Sequence, residues 1–364
     1  MDNETAHVVL NLLPGVGAVS VRRLIERFGS AERALAASAQ ALKTCVGEEH
    51  ANSISGWQNV IDLDAELGHI ESRGVKLVNC EDDNFPTLLN EHSHLPHLLY
   101  VLGNLTKQDR HAISIVGTRS LSNYGRQCAQ KLGFQLAQAG YTVVSGLARG
   151  IDAVAHEAAL AANGRTIAVL GSGLNHIAPP ENRKLARRIV DSGSGAIVSQ
   201  FPMDRTPDRK TFPIRNHVIS GLSYGVLVIE GARRSGSLIT ASIALDQNRQ
   251  VFAVPGQIDR PGSAGPNSLI QEGAKMVTKV EDVLSELSEE LPQTSAAPEE
   301  TKPVVQLSGD EKTIHEALAA GSLTVDEIIA KTGLPSSAVS ANLLRLEMRR
   351  IVRQMPGNRF ESQF

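Results

Sequence analysis

Short apolar runs punctuate the middle of the chain: AISIVG (112–117), YTVVS (141–145), TIAVLG (166–171), GAIVS (195–199), GVLVIE (225–230) and QVFAV (250–254). They are rich in Val and Ile and nearly free of charge, the pattern of strands covered on both faces. Between them apolar positions recur at helical spacing, as over Tyr124–Gln138, Ala153–Ala162 and Leu238–Gln247. Strand and helix alternating at this spacing imply right-handed crossovers and an α/β fold, a doubly wound parallel sheet.

The flanks follow other periods. Residues 10–37 hold two apolar helical stretches joined by Leu-Pro-Gly-Val-Gly, the pattern of a helix-hairpin-helix, and a weaker helical pair runs on through Trp57. Gly15 and Gly17 permit a tight turn there, whose free amides either hold a phosphate or merely turn the chain within a helical bundle. A helical, SAM-like domain is therefore expected over 1–75 and the sheet domain over 76–285. Residues 286–308 mix Pro, Ser, Ala and Glu without apolar periodicity and read as a flexible linker. From 309 to 364 the pattern fits three short helices and a two-stranded ribbon. Thr324–Thr332, the Gly333-Leu334-Pro335 turn and Ser336–Arg350 form a helix-turn-helix, with Ile351–Phe360 as the wing. Such a winged helix suits contact with DNA or with protein.

Composition narrows the class. The 364 residues are 41% hydrophobic and 21% charged, as in an ordinary globular protein. No apolar run approaches the roughly 18 residues of a transmembrane helix, and the opening MDNETAHVV lacks the basic and apolar regions of a signal peptide. Cys45, Cys80 and Cys128 are too scattered for a disulfide framework or a zinc cluster, which points to a reducing cytoplasm. The net charge of −3 is misleadingly flat. Residues 110–260 carry 18 Lys+Arg against 9 Asp+Glu, whereas 1–109 carry 8 against 15 and 261–364 carry 10 against 15. A basic middle between acidic flanks suggests an anionic partner for the sheet domain.

The ends of the strands carry the candidate chemistry, since ligands of doubly wound sheets bind beyond them. Gly117-Thr118-Arg119 sets a guanidinium at the exit of the first strand; such a group pairs with phosphate and stays charged. In SGLARGID (145–152), Ser145, Gly146 and Gly150 are expected to leave backbone amides open before a helix. In GSGLNHIAPPENRK (171–184), Gly171 and Gly173 allow close backbone approach, and Asn182, Arg183 and Lys184 stand at the start of the next helix. Phe212, beside Arg215 and Asn216, combines an aromatic for stacking with a cation and an amide; Pro213 and the polar neighbours suggest a loop. Ser235-Gly236-Ser237 opens a helix directly after Arg233 and Arg234, an anion site by geometry.

Two familiar readings fail. GSGLNH lacks the third glycine of a dinucleotide fingerprint, and the next strand ends in Ser199-Gln200 where a ribose-binding acid is needed; no Walker-type P-loop is present. Several glycine-bearing strand ends with hydroxyl or cationic groups instead suit a row of phosphates, as on a single strand. The motifs GTRSLSNYG, SGLARGID, GSGLNHIAPPEN, FPIRNHVISGLS and EGARRSGSLITASIAL, followed by VFAVPG, resemble in their order the bacterial DNA-processing protein A (DprA/Smf) family.

That resemblance covers nearly the whole chain. It implies a homodimeric protein whose extended Rossmann-like domain binds single-stranded DNA and delivers it to RecA recombinase during natural transformation, displacing or bypassing single-strand-binding protein; no cofactor is expected. It also implies strand contacts by Arg119, the basic residue after Asn182, Phe212, Arg215 and Asn216. The chain departs from the family in Ala178-Pro179, where Tyr-Pro is common, in Arg183 for Lys, and in Arg215-Asn216-His217 for Arg-Asn-Arg. His92, His94 and His97 share one Pro-interrupted loop without a distant ligand partner and read as a polar loop rather than a metal site. Two other functions compete. One is a nucleotide phosphoribohydrolase-like enzyme, for which Glu230 is the carboxylate best placed but Pro255-Gly256-Gln257 lacks the expected motif; the other is a duplex-binding regulator acting through the winged helix.

Overall fold

The computed structural model describes residues 1–287, 309–318, 322–348, 352–355 and 359–362. Contacts divide the chain into two compact units, Met1–Glu290 and Leu291–Phe364.

The first unit is built on a nine-stranded sheet. Its strands are β1 (Lys76–Asn79), β2 (Leu98–Gly103), β3 (Ala112–Val116), β4 (Thr142–Ser145), β5 (Thr166–Val169), β6 (Gly195–Ser199), β7 (Gly225–Val228), β8 (Gln250–Ala253) and β9 (Lys275–Met276), in the order β1-β2-β6-β5-β4-β3-β7-β8-β9. From β6 to β9 every pairing is parallel, with Ile113 beside Val143 on one flank and Gly225 on the other. The six apolar runs of the sequence are thus β3 to β8. Alternation splits each strand between two cores. Ala112 and Val116 face the layer that includes Val218 and Ala241, while Ile113 and Ile115 face Leu132 and Ala155 on the other side.

The edges were hidden. β1 and β2 form an antiparallel addition to β6, with Tyr100 opposite Ser199, and β9 is a two-residue strand against β8. Lys76 and Asn79 bound a four-residue run in β1, and the sequence before β2 is broken by Pro96, so neither offers a long apolar period. The N-terminal helices, among them Asn3–Leu12, Ala18–Phe28 and Leu63–Arg73, bury Val9, Leu10, Val21, Leu24 and Ile54 in a core of their own. Gly15, at φ +80°, makes the turn between the first two. Val8 and Ile70 instead join Leu98 and Tyr100 against the sheet.

The expected linker begins later than 286: the helix Glu281–Leu287 extends into it and buries Val283 and Leu287 in a sheet core. Residues 288–308 lie outside the described residues. In the second unit, helices Asp310–Leu318, Val325–Thr332 and Ser336–Met348 enclose Ile314, Ile328, Val339 and Leu343. Thr324 and Glu327 form a reciprocal capping box and Gly333, at φ +70°, ends that helix. The wing pairs Val352–Met355 with Arg359–Ser362, and Leu323–Thr324 adds a third strand that the sequence reading lacked. Arg349 and Arg350, expected to finish the last helix, are outside the described residues.

Candidate nucleic-acid interface

The winding of the sheet reverses between β3 and β7, which sit side by side although three strands separate them in sequence order. Beyond the carboxyl ends of the strands at such a switch point lies the usual ligand crevice. Here it is a cleft of about 520 Å³ bounded by Gly117, Thr118 and Arg119 after β3, by Phe212, Arg215 and Asn216, and by Ser235, Gly236 and Ser237 after β7. Three separated motifs of the sequence therefore converge on one cavity. A smaller cavity of about 160 Å³ adjoins it, sharing Arg119, Phe212 and Arg215 and adding Gly146, Arg149, Gly171, Ala178 and Pro179.

Phe212 does not lie in a loop. It is the second residue of the helix Thr211–Gly221. Pro213 is tolerated because first-turn amides have no intrahelical acceptor to lose, and Asp208 accepts from the Lys210 and Thr211 amides at 2.7 and 2.8 Å. Helical phase then sorts the side chains. Thr211, Arg215, Val218 and Ile219 face inward and are buried, while Phe212 and Asn216, four residues apart, are half-exposed beside the cleft. The Arg119 guanidinium, on an exposed residue, lies 5.4 Å from the Phe212 ring centroid, and that of Arg215 lies 6.0 Å away.

Arg215 is 5% exposed, and one terminal nitrogen donates to the carbonyls of Gly146 and Val169 at 2.5 and 2.6 Å. It thereby ties the ends of β4 and β5 together beneath Phe212. Burial pushes its guanidinium down to about 10, against the opposing effect of Asp152, so it remains charged at neutral pH. Burial pushes the Asp152 carboxyl up, countered by Arg215 and by the amides it accepts from.

Those amides overturn the expectation of an open SGLARGID loop. Asp152 of the same motif accepts from Gly146 N and Ala148 N at 3.2 and 3.3 Å, so it caps the loop from within. Ser145 is buried and donates to the Ile115 carbonyl at 2.6 Å. The glycines are also mostly spoken for. A side chain at Gly150, which stands at φ +83°, would strike the Thr118 carbonyl, and one at Gly173 would strike the Pro202 and Met203 carbonyls. Gly117, Gly146 and Gly171 are backed by Ile151, Arg215 and Phe212. Close approach is real at these positions, but the chain itself makes it. Gly236 differs: nothing lies within 4 Å of the place a side chain would take, so this helix N-terminus faces open space.

The remaining candidates divide between inside and outside. Asn182 donates to the Leu147 and Ala148 carbonyls at 2.8 and 3.1 Å, a tie between loops. Arg183 and Lys184 are exposed on the first turn of the helix Arg183–Asp191. Glu230 is buried, with its oxygens accepting from the Ser122 hydroxyl and amide at 2.5 and 3.0 Å, so it anchors the helix Asn123–Gln138. His217 packs edge-on against His94 at 5.5 Å. His97 is not part of a polar loop: it is 3% exposed and shares a 3.0 Å hydrogen bond with His7. Among the described residues no group of His, Cys, Asp and Glu is disposed to hold a metal, and no helix is long and apolar enough to cross a membrane. Sequence reasoning missed Arg209, which lines the cleft. Its signal was the basic cluster Arg205, Arg209 and Lys210 just before Phe212.

Known proteins match this arrangement. A family model described as DNA recombination-mediator protein A matches residues 76–288, and one described as the DprA winged helix domain matches 296–358. The chain is 41% identical over 302 residues to Protein Smf of Escherichia coli K12, covering 81% of this chain and 79% of that one. It is 40% identical over 224 residues to DNA processing protein DprA of Bacillus subtilis, covering 61% and 75%. Among solved structures, DNA processing protein A of Streptococcus pneumoniae aligns with a TM-score of 0.68 and 33% identity, over 78% of this chain and 97% of that one. A Helicobacter pylori DNA processing protein A, described for its single-stranded DNA binding mode, aligns with a TM-score of 0.53 and 28% identity, over 60% and 98%.

Proposed function

This chain belongs to the DNA recombination-mediator protein A family, and on that premise we propose that it is a single-stranded DNA-binding recombination mediator. In this reading it works in the cytoplasm as a homodimer, protects strands taken up during natural transformation, and loads RecA recombinase onto them in the presence of single-strand-binding protein. It does so without a cofactor or a catalytic step.

One observation carries the reading: the exposed Arg119 guanidinium and the Phe212 ring, 5.4 Å apart at the mouth of a cleft. A ring presents a stacking face to any base, and a neighbouring cation meets the phosphate that follows. Asn216, Arg209 and the open helix N-terminus at Ser235-Gly236-Ser237 supply further donors in the same cleft. The Helicobacter pylori relative, described by its single-stranded DNA binding mode, supports the same ligand class. Ser145, Gly146, Gly150, Gly171, Gly173, Asn182 and Arg215 serve the site by holding its loops in place. The phosphoribohydrolase-like alternative has less behind it, because the side-chain oxygens of Glu230 are committed to Ser122.

The test is an anisotropy titration of an oligothymidylate at several salt concentrations, followed by RecA filament formation on DNA coated with single-strand-binding protein. Affinity should fall with salt at about 0.7 logarithmic units per neutralised phosphate, and filaments should form faster when the protein is added. A flat salt titration would reject a phosphate-tracking cleft. Binding without any effect on filaments would leave the ligand and reject the mediator role.

A further inference from the structure

The helix Arg183–Asp191 has two unlike faces. Leu185, Ala186 and Ile189 are buried against the sheet, while Arg183, Lys184, Arg187 and Arg188 are all exposed. Some arginines of the unit meet carboxylates, as in Arg149 with Glu181, Arg165 with Asp109, and Arg249 with Glu91. Among the described residues none of these four cations is within 4 Å of a carboxylate. Concentrating unneutralised charge on one helix edge is costly to the isolated protein and favourable only toward an anion.

A groove of about 440 Å³ runs beside that edge. Arg183 and Arg187, one helical turn apart, stand on one side of it, and Arg73, at the end of the helix Leu63–Arg73, also lines it. Leu102, Ile177 and Ala186 add apolar lining to it. Asp191 also lines it and limits the positive stretch at the far end of the helix. Cations beside apolar side chains in one groove fit a polyanion that carries flat, weakly polar groups, and a single nucleic-acid strand is such a ligand.

One segment lines both the groove and the small cavity beside the cleft. Residues 171–182 contribute Gly171, Ala178 and Pro179 to the small cavity beside Phe212, and Asn175 and Ile177 to this groove. Arg183, next in the chain, donates to the Ile177 carbonyl at 3.4 Å. Arg183 thus marks the point where this segment reaches the groove.

We propose that the groove between the Arg183–Asp191 helix and Arg73 is a second subsite for the same single strand, which extends the bound length beyond the Arg119–Phe212 cleft. The proposal rests on the reading that the cleft binds single-stranded DNA, and the test separates the two. Oligothymidylates of about 6, 12 and 20 nucleotides are titrated against the full chain and an Arg73→Glu/Arg187→Glu variant, spanning typical single-strand site sizes. Wild-type affinity should climb with length. The variant should bind the shortest oligonucleotide within about twofold of wild type, bind the longest about tenfold more weakly, and show a salt slope shallower by about 0.7 per lost phosphate contact. An Arg73→Gln/Arg187→Gln variant, which removes charge without reversing it, should show the same pattern more weakly, and thermal melts of both check folding. Equal affinity of wild type and folded variants for the longest oligonucleotide overturns the subsite. Absence of binding at every length, wild type included, overturns the cleft reading itself. A loss confined to duplex DNA would also overturn the proposal, because the groove would then serve another ligand.

Discussion

Arg119 and Arg215 approach the same aromatic ring from opposite settings. Arg119 is exposed and free to meet a ligand; Arg215 is buried, bonded to two strand-end carbonyls and close enough to Asp152 to offset its charge. Sequence reasoning treated both as strand contacts, because a cation next to Phe and Asn looks the same whether it points in or out. Only the helical phase of 211–221 separates them, and Pro213 disguised that helix as a loop. The difference has a measurable form. Arg119→Ala should leave urea unfolding unchanged within about 0.5 kcal/mol and weaken oligothymidylate binding at least tenfold. Arg215→Ala strands the buried Asp152 and should cost about 3 kcal/mol or more of stability. Equal destabilisation by both substitutions would contradict this division.

At the level of elements, the core strands were readable and the loops were not. β3 to β8 announce themselves as uncharged Val- and Ile-rich runs because they are covered on both faces. β1 and β9 have exposed positions and too few residues to set a period. The loop after β4 was misread because a short-range acceptor, Asp152, takes the amides that the glycines seemed to leave open. The seam between the N-terminal helices and the sheet was equally invisible. His7, on the first helix, and His97, just before β2, are both buried, share a 3.0 Å hydrogen bond, and His7 also bonds Glu81 at 2.8 Å. Burial holds both imidazoles below their ordinary value near 6.5, so both are neutral in the folded protein. The unfolded chain takes up protons there as pH falls below about 6.5, and the folded chain does so only at lower pH. Stability tied to this pair is therefore complete above that pH and declines below it until the folded-state imidazoles themselves protonate, at a limiting rate of about 1.4 kcal/mol per pH unit for each histidine. Urea unfolding of wild type and His97→Gln between pH 7 and 5 should show the steeper loss in wild type; parallel profiles would mean that the pair does not titrate as described.

At the scale of the molecule, the basic excess of residues 110–260 coincides with the unit that contains the cleft and the groove. That unit has its own cores, and the helix that ends at Leu287 closes one of them. A chain ending after Leu287 should therefore stay folded and bind oligothymidylate within about threefold of the full chain, by anisotropy at matched salt. A larger loss would give the winged helix a direct share in the contact. The internal bracing of the cleft has one more consequence, for rates. Asp152, Arg215 and Glu230 already hold the surrounding loops through their own hydrogen bonds, so the proposed strand would meet a finished surface and pay little for ordering it. Capture would then be steered by charge and fast, and dwell time would be fixed by the exposed rim alone. The proposed mediator role would gain from that arrangement, because contacts at the rim are released one at a time without unfolding the loops that support them.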